Sequence, residues 1–223
     1  MSAHTVAEST GRALASLQAL HAYWRDLPAD AYLKDGGRYR QRRHASFEVT
    51  DQQVQPVAHR AHWQPLDYNA LHGGMNRLFK PIVPGLLAQP AWPALLVWLG
   101  QVASALRGPQ TWFTEAHQFR IDTRDGIGRP TPEGAHRDGV DLVAVFLVAR
   151  HQIKGGETRV FDAHGSHGER FTLSEPWSVL LLDDARVIHE TTPIQPLAQP
   201  AYRDTLVITL RAGGFQEQTV TKV

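Results

Sequence analysis

His136-Arg137-Asp138, followed far downstream by His189 and then by Arg203 at the head of a β-branched run, is the part of this chain best suited to chemistry. Two imidazoles and one carboxylate occupy a single face of a ferrous ion and leave the opposite face open for substrate and oxygen. An arginine, with its permanent charge and fixed fork of donors, suits a dicarboxylate such as 2-oxoglutarate in that open face. The pattern predicts an iron oxygenase with His136, Asp138 and His189 as metal ligands and catalytic centre.

The pattern has a rival within the chain. Twelve histidines and 22 acidic residues give about one His-x-Asp/Glu by chance, and there are two. The second, His167-Gly168-Glu169, sits among small and polar residues that read as a turn or loop. Position separates them. Between His136 and His189 lie several strand-like runs, enough sheet to fold the chain back on itself, whereas between Glu169 and His189 there is one. A ligand pair and a distant third ligand converge only if the sheet curls between them, which favours His136 and Asp138.

The elements that must do this positioning are legible as periodicities. Ala13, Leu14, Leu17, Leu20, His21 and Trp24 recur at helical spacing from a Ser9/Thr10 start, predicting a helix near 10–26 closed by Pro28. A strand is expected to include 45–49, and a second helix to cover 93–106 with Leu95, Leu96, Trp98, Leu99, Val102 and Leu106 in its buried stripe. After Gly108-Pro109 the character changes to strands, near 111–122, 142–149, 157–161, 177–182, 186–189 and 205–211. Two are apolar without alternation, Leu142 to Ala149 and Val179 to Leu182, which places them centrally with cover on both faces. The last strand alternates: Leu206, Ile208 and Leu210 share one face, Arg203, Thr205, Val207 and Thr209 the other. That is a barrel wall, with helices outside and a semi-polar pocket inside. Gln118 and Arg120, on an early strand of this core, are candidates to touch cosubstrate or substrate.

Composition narrows the rest. A 223-residue chain that is 42% hydrophobic can bury one sizeable core, so a single domain over 1–223 is expected, with 1–110 packing on a core at 111–211. A net charge of +1 offers no electrostatic reason to expect nucleic acid, and no run of like charges marks a membrane face. The basic cluster Arg38, Arg40, Arg42 and Arg43 is interleaved with Tyr39, Gln41 and His44 and suits an exposed or cleft-lining strand. There is no cysteine, hence no disulfide or thiolate metal site. The start of the chain lacks the apolar core of a signal peptide, and no segment has the length to span a bilayer, so a cytoplasmic protein is expected.

In combination, Pro130 to Asp141 around His136-Arg137-Asp138, Gly155-Gly156-Glu157-Thr158, His189-Glu190-Thr191-Thr192-Pro193-Ile194 and Tyr202-Arg203-Asp204 resemble the 2-oxoglutarate/Fe(II)-dependent dioxygenases. Within them the motifs look like the bacterial group of free L-amino-acid hydroxylases such as isoleucine dioxygenase. The resemblance covers roughly residues 111–211, and the amino-terminal third aligns loosely through Tyr39 to Phe47. It implies a mainly β fold with flanking helices, built on a double-stranded β-helix (jelly-roll, cupin-like) core. It implies Fe(II) on His136, Asp138 and His189, and 2-oxoglutarate held by Arg203. Thr205 takes the place of a hydroxyl residue that often assists, and Gln118 is the further cosubstrate candidate. The implied reaction hydroxylates a small-molecule substrate with O2 and releases succinate and CO2.

A free amino acid would need a cation for its carboxylate, from Arg120 or the Arg40, Arg42 and Arg43 cluster, and an acceptor for its ammonium group, for which Glu115 is the candidate. Two rival functions remain open at this point. A zinc hydrolase would use the same ligands but leave Arg203 unexplained. A non-catalytic jelly-roll module that binds or senses a small acid would have no need of all three ligands.

Overall fold

Side-chain alternation decides which face of each strand meets the core. In the computed structural model, which describes residues 1–69 and 71–217, α1 (Ala3–Thr10), α2 (Leu14–Ala19) and a 3-10 turn at Leu20–Trp24 come first. They are followed by β1 (Arg40–Val49), β2 (Val54–Pro56), α3 (Pro84–Leu87) and α4 (Ala91–Arg107). The remaining strands are β3 (Trp112–Asp122), β4 (Leu142–His151), β5 (Ile153–Gly155), β6 (Thr158–Asp162), β7 (Gly168–Phe171), β8 (Val179–Asp183), β9 (Val187–Thr191), β10 (Ile194–Pro196) and β11 (Tyr202–Arg211).

The major sheet has the order β2-β1-β3-β11-β4-β8, and its pairings are antiparallel. A smaller sheet, β7-β6-β9, and the pair β10-β5 stand beside it. The arrangement is a jelly-roll core with helices against one outer face. Leu206, Ile208 and Leu210 on β11 are fully buried in the same apolar cluster as Leu95, Leu96 and Leu99 of α4 and Leu17, Leu20 and Trp24 of the amino-terminal helices. Burying about this many large side chains is the dominant stabilising term, at roughly 1.5–3 kcal/mol for each.

The expected elements appear with two corrections. The helix anticipated over 10–26 is two: α1 ends at Thr10 because Gly11 turns left-handed (φ +61°) and caps it, and a new helix begins at Leu14. Thr10 therefore closes a helix rather than starting one; its hydroxyl bonds back to the carbonyls of Val6 and Ala7. The amino-terminal third also does more than pack on the core. β1 pairs with β3 along ten residues, from Arg40 against Ile121 to Val49 against Trp112, so this third supplies a strand of the major sheet itself. Among the described residues no helix is long and apolar enough to cross a membrane.

Candidate active site

One pocket is lined by Arg40 and Arg42 of β1, Glu115, His117, Phe119 and Ile121 of β3, Val145 of β4, Arg203, Thr205, Val207 and Thr209 of β11, the segment Pro130 to Val140, His189 of β9, and His62, Gln64 and Arg77 of the loop after β2. Strand parity explains who is there. On β11 the odd positions face the pocket and the even ones the apolar cluster, as the alternation predicts. On β3 the odd positions likewise face in.

His136, Asp138 and His189 meet at one end of this pocket. His136 and His189 are joined by reciprocal backbone hydrogen bonds of 3.0 and 2.9 Å, which lock the segment after Gly134 onto β9 and set the two imidazoles side by side with centroids 4.7 Å apart. Asp138 is held by its backbone: Asp184, fully buried, accepts the amide protons of Asp138, Gly139 and Val140 at 3.0, 2.8 and 3.1 Å. Burial and the charge of Asp138 raise the pKa of Asp184. Gln64 donates to Asp138 Oδ1 at 3.2 Å. His136 Nδ1 lies 2.9 Å from Gly134 O, so Nδ1 carries the proton and Nε2 keeps its lone pair.

The donors converge without bonding one another. Asp138 stands 3.9 Å from His136 Nε2 and 3.7 Å from His189 Nε2, beyond hydrogen-bond length. Burial pushes the His189 imidazole down to about 4, so it is neutral; at His136 burial also opposes the charged form, but Asp138 and Glu133 outweigh it and raise the pKa. A carboxylate and two imidazoles spaced this way are the donor set a hard or borderline divalent cation takes.

Across the pocket Arg203 is 3% exposed, and its Nε and Nη2 have no partner among the described residues. Burial first, and then the like charge of Arg150, press its pKa down to about 10. A guanidinium desolvated without a counterion is costly unless a ligand supplies one. Thr205 lies two residues along the same face, also buried and lining the pocket.

Two other expected residues are elsewhere. Gln118 and Arg120 occupy even positions of β3 and face away from the pocket: Gln118 donates to the Tyr23 carbonyl beside the amino-terminal helices, and Arg120 grips Asp204 with two bonds of 2.7 Å. Their strand parity is opposite to that of Glu115 and His117, which face the pocket. Of the basic cluster, Arg40 and Arg42 line the pocket, whereas Arg43 is turned to the carbonyls of Pro81 and Asp26. The decoy pair is exposed: His167 precedes β7 and Glu169 lies within it.

Of the pocket's far wall the sequence anticipates Arg40, Arg42 and Glu115 but not the histidines. His44, His62, Glu115 and His117 form a second buried group of possible metal donors. Here the spacing is that of hydrogen bonds. Glu115 accepts from His44 Nε2 and His62 Nδ1, both at 3.1 Å, and Arg42 Nη2 donates to His117 Nδ1 at 2.7 Å while its guanidinium stacks on Phe79. Burial lowers the pKa of all three imidazoles, to about 4 at His44. Glu115 stays ionised, since the surrounding donors outweigh its burial. Arg77, Gln64 and Glu133 were missed too. The loop is fastened to β1 by backbone bonds of Val57 to Ser46 and of His44 with Lys80 and Ile82, and is closed on itself by the bridge between His62 and Arg77; nothing in its residue spacing announces this.

A family model described as 2OG-Fe dioxygenase matches residues 21–209. A crystal structure of a bsmA homologue from Methylobium petroleophilum PM1 is 56% identical, with 96% of this chain and 88% of that one covered and a TM-score of 0.92. IDO from Bacillus thuringiensis is 18% identical over 91% of this chain and 84% of its own, at a TM-score of 0.72. The Fe(II)/α-ketoglutarate-dependent dioxygenase TqaL is 20% identical over 88% and 74%, at 0.64. The last two speak to the fold alone. No curated protein matches the chain. With a match spanning most of its length, this chain belongs to the 2OG-Fe dioxygenase family, and it is a 2-oxoglutarate-dependent non-haem iron dioxygenase using Fe(II) and 2-oxoglutarate.

Proposed function

We propose that His136, Asp138 and His189 hold the Fe(II), that Arg203 with Thr205 takes the distal carboxylate of 2-oxoglutarate, and that the enzyme hydroxylates a small molecule such as a free L-amino acid. One juxtaposition carries this reading: three donors that converge without hydrogen bonds share a pocket with a buried guanidinium that has no counterion. When bound, the metal supplies activation of O2 coupled to decarboxylation of 2-oxoglutarate to succinate and CO2.

The chain's own residues do the rest. The His136 and His189 backbone bridge fixes two ligands, and Asp184 and Gln64 fix the third, so that the donors need little reorganisation. Val145 and Val207 add apolar surface to the pocket wall. For an amino-acid substrate the ammonium acceptor is Glu133, whose buried Oε2 has no partner, in place of Glu115, whose oxygens His44 and His62 occupy. Arg120, spent on Asp204, is no longer a substrate contact.

The test is succinate formation after anaerobic reconstitution with Fe(II), using 2-oxoglutarate and a panel of free L-amino acids. Succinate that needs both Fe(II) and 2-oxoglutarate and rises with a panel member is the expected result. Full turnover in His189→Ala would overturn the ligand assignment, and stimulation by peptides or lipids alone would overturn the substrate class.

A further inference from the structure

The pocket holds a second buried guanidinium without a counterion. Arg77 is 2% exposed and lines the pocket, its Nη2 donates to Gln64 Oε1 at 2.8 Å, and its Nε has no partner. Among the described residues no carboxylate lies within ion-pair distance of it. Of the neighbouring carboxylates, Asp30 takes Arg40 at 2.7 Å and Arg42 at 3.7 Å, Glu115 takes His44, His62 and, at 3.6 Å, Arg60, and Glu133 turns one oxygen to within 3.7 Å of His136 Nε2 and leaves the other unpartnered. Three guanidinium groups, Arg40, Arg42 and Arg77, thus line this wall, and Asp30 is the carboxylate paired with two of them.

The imidazoles beside it are set as neutral donors and acceptors. Because Arg42 donates to His117 Nδ1, the neutral His117 ring carries its own proton on Nε2. Because His62 gives its Nδ1 proton to Glu115, its Nε2 is bare. These bonds argue against a second metal on this wall, since His117 Nδ1 is already an acceptor and Nε2 is protonated, while Arg42, Arg60 and Arg77 surround the group with positive charge.

We propose that this wall, with Arg77 as the principal charge and His117 Nε2–H as a second donor, binds a carboxylate of the substrate, so that the enzyme takes a small carboxylate-bearing molecule whose other end faces the metal triad. The inference rests on the dioxygenase reading of the pocket and deepens it by assigning the residues that take the substrate's carboxylate. Two anion sites in one pocket divide the labour: 2-oxoglutarate on Arg203 of β11, and substrate on Arg77 in the loop after β2. Gln64 links the two ends, accepting from Arg77 and donating to Asp138, so an occupied Arg77 is felt at a proposed metal ligand through one side chain.

The experiment measures binding without turnover. Protein loaded with Fe(II) and 2-oxoglutarate in the absence of O2 is titrated with the free L-amino acids, the matching 2-hydroxy acids and the matching primary amides, and the rise in melting temperature is read. At least one acid should raise it, with an affinity about thirtyfold or more above that of its amide, because the amide leaves the buried cation unpaired. Arg77→Gln should lose that preference and Arg77→Lys should keep part of it. The acid-to-amide comparison in the unaltered protein stands even if both variants fold poorly. Equal binding of acid and amide, no acid binding at all, or an undiminished preference in folded Arg77→Gln would overturn the proposal. So would two equivalents of iron per chain with one lost in His62→Ala, which would make the wall a metal site. Failure of the dioxygenase reading shows separately, as absence of succinate under O2 with compounds that bind.

Discussion

At one end of the pocket Asp138 stands 3.9 and 3.7 Å from two imidazole nitrogens; at the other, Glu115 stands 3.1 Å from two. The residue types are the same, and the difference of well under an ångström separates two kinds of chemistry. At 3.1 Å a neutral imidazole donates a hydrogen bond to the carboxylate and the charge is answered within the protein. Past 3.5 Å nothing is exchanged, and a carboxylate with two lone pairs turned toward it awaits a cation. Backbone restraint keeps the first group open: Asp184 and the His136 and His189 bridge hold the three residues by their main chains, leaving their side chains unbonded to one another. The second group is tied side chain to side chain.

The largest effect expected from this contrast is on iron. Asp138→Ala or His189→Ala should abolish succinate formation and reduce bound iron from about one equivalent to a small fraction, whereas His44→Ala should leave the iron in place. Metal analysis after anaerobic reconstitution decides it, and iron lost with His44 but kept without Asp138 would reverse the assignment of the two ends.

Next comes the anion facing the metal end. Arg203→Ala leaves the distal carboxylate of 2-oxoglutarate desolvated without a partner, a loss of roughly 2 to 5 kcal/mol. The Michaelis constant for 2-oxoglutarate should rise well over tenfold, by about 1.4 kcal/mol per decade. An unchanged constant would move the cosubstrate to another cation.

Between the ends sits Gln64. Gln64→Leu removes the donor to Asp138 Oδ1 and the acceptor of Arg77, and losses of such supporting bonds typically weaken metal affinity by about 10- to 100-fold. Titration with Fe(II) should show a shift in that range with the stoichiometry retained.

What was legible in the sequence follows the same line. The convergence of His136, Asp138 and His189 could be read because two of them share one short segment and the third lies beyond a stretch of sheet, and the inward placement of Arg203 because β11 alternates strictly. Its inward face, Arg203, Thr205, Val207 and Thr209, is the one the pattern assigns. On the far wall Arg40, Arg42 and Glu115 were legible, but the histidines and Arg77 were not. His44, His62, Arg77 and His117 come from two strands and a loop, and their neighbourhood depends on the register of β1 against β3 and on the backbone bonds that fasten and close the loop. Gln118 and Arg120 were misassigned for want of that register, since an inward strand position is a matter of parity, which composition does not fix.

The tied end should announce itself through pH. His44 is buried and neutral, its pKa near 4 against an ordinary 6.5, packed against His62, His117, Glu115 and Arg42. Its folded pKa is depressed, so the unfolded chain binds the proton more readily. The stability it contributes is complete above pH 6.5 and is lost as pH falls toward 4. In metal-free protein, the stability gap between wild type and His44→Gln should narrow by about 1 to 2 kcal/mol between pH 7 and pH 5, read from urea unfolding. A gap independent of pH would mean that His44 is not held neutral.

The smallest effect belongs to the motif that mimics the open end. His167-Gly168-Glu169 has the ligand spacing of His136-Arg137-Asp138, yet its side chains are exposed and no third donor approaches them among the described residues. Its backbone is that of a hairpin: β7 pairs with β6, Glu169 opposite Val160. Val160 in turn pairs with His189, so the decoy is one strand removed from a proposed ligand, near it in the sheet but on an exposed edge strand. Ligand spacing without enclosure leaves both groups hydrated, and water is then the cheaper partner. The double change His167→Ala with Glu169→Ala should alter stability by no more than about 0.5 kcal/mol and leave iron stoichiometry untouched. Loss of iron in that variant, with a normal melting temperature, would mean that the edge strand supplies a ligand and that convergence on the His136 and His189 bridge is not what selects the metal.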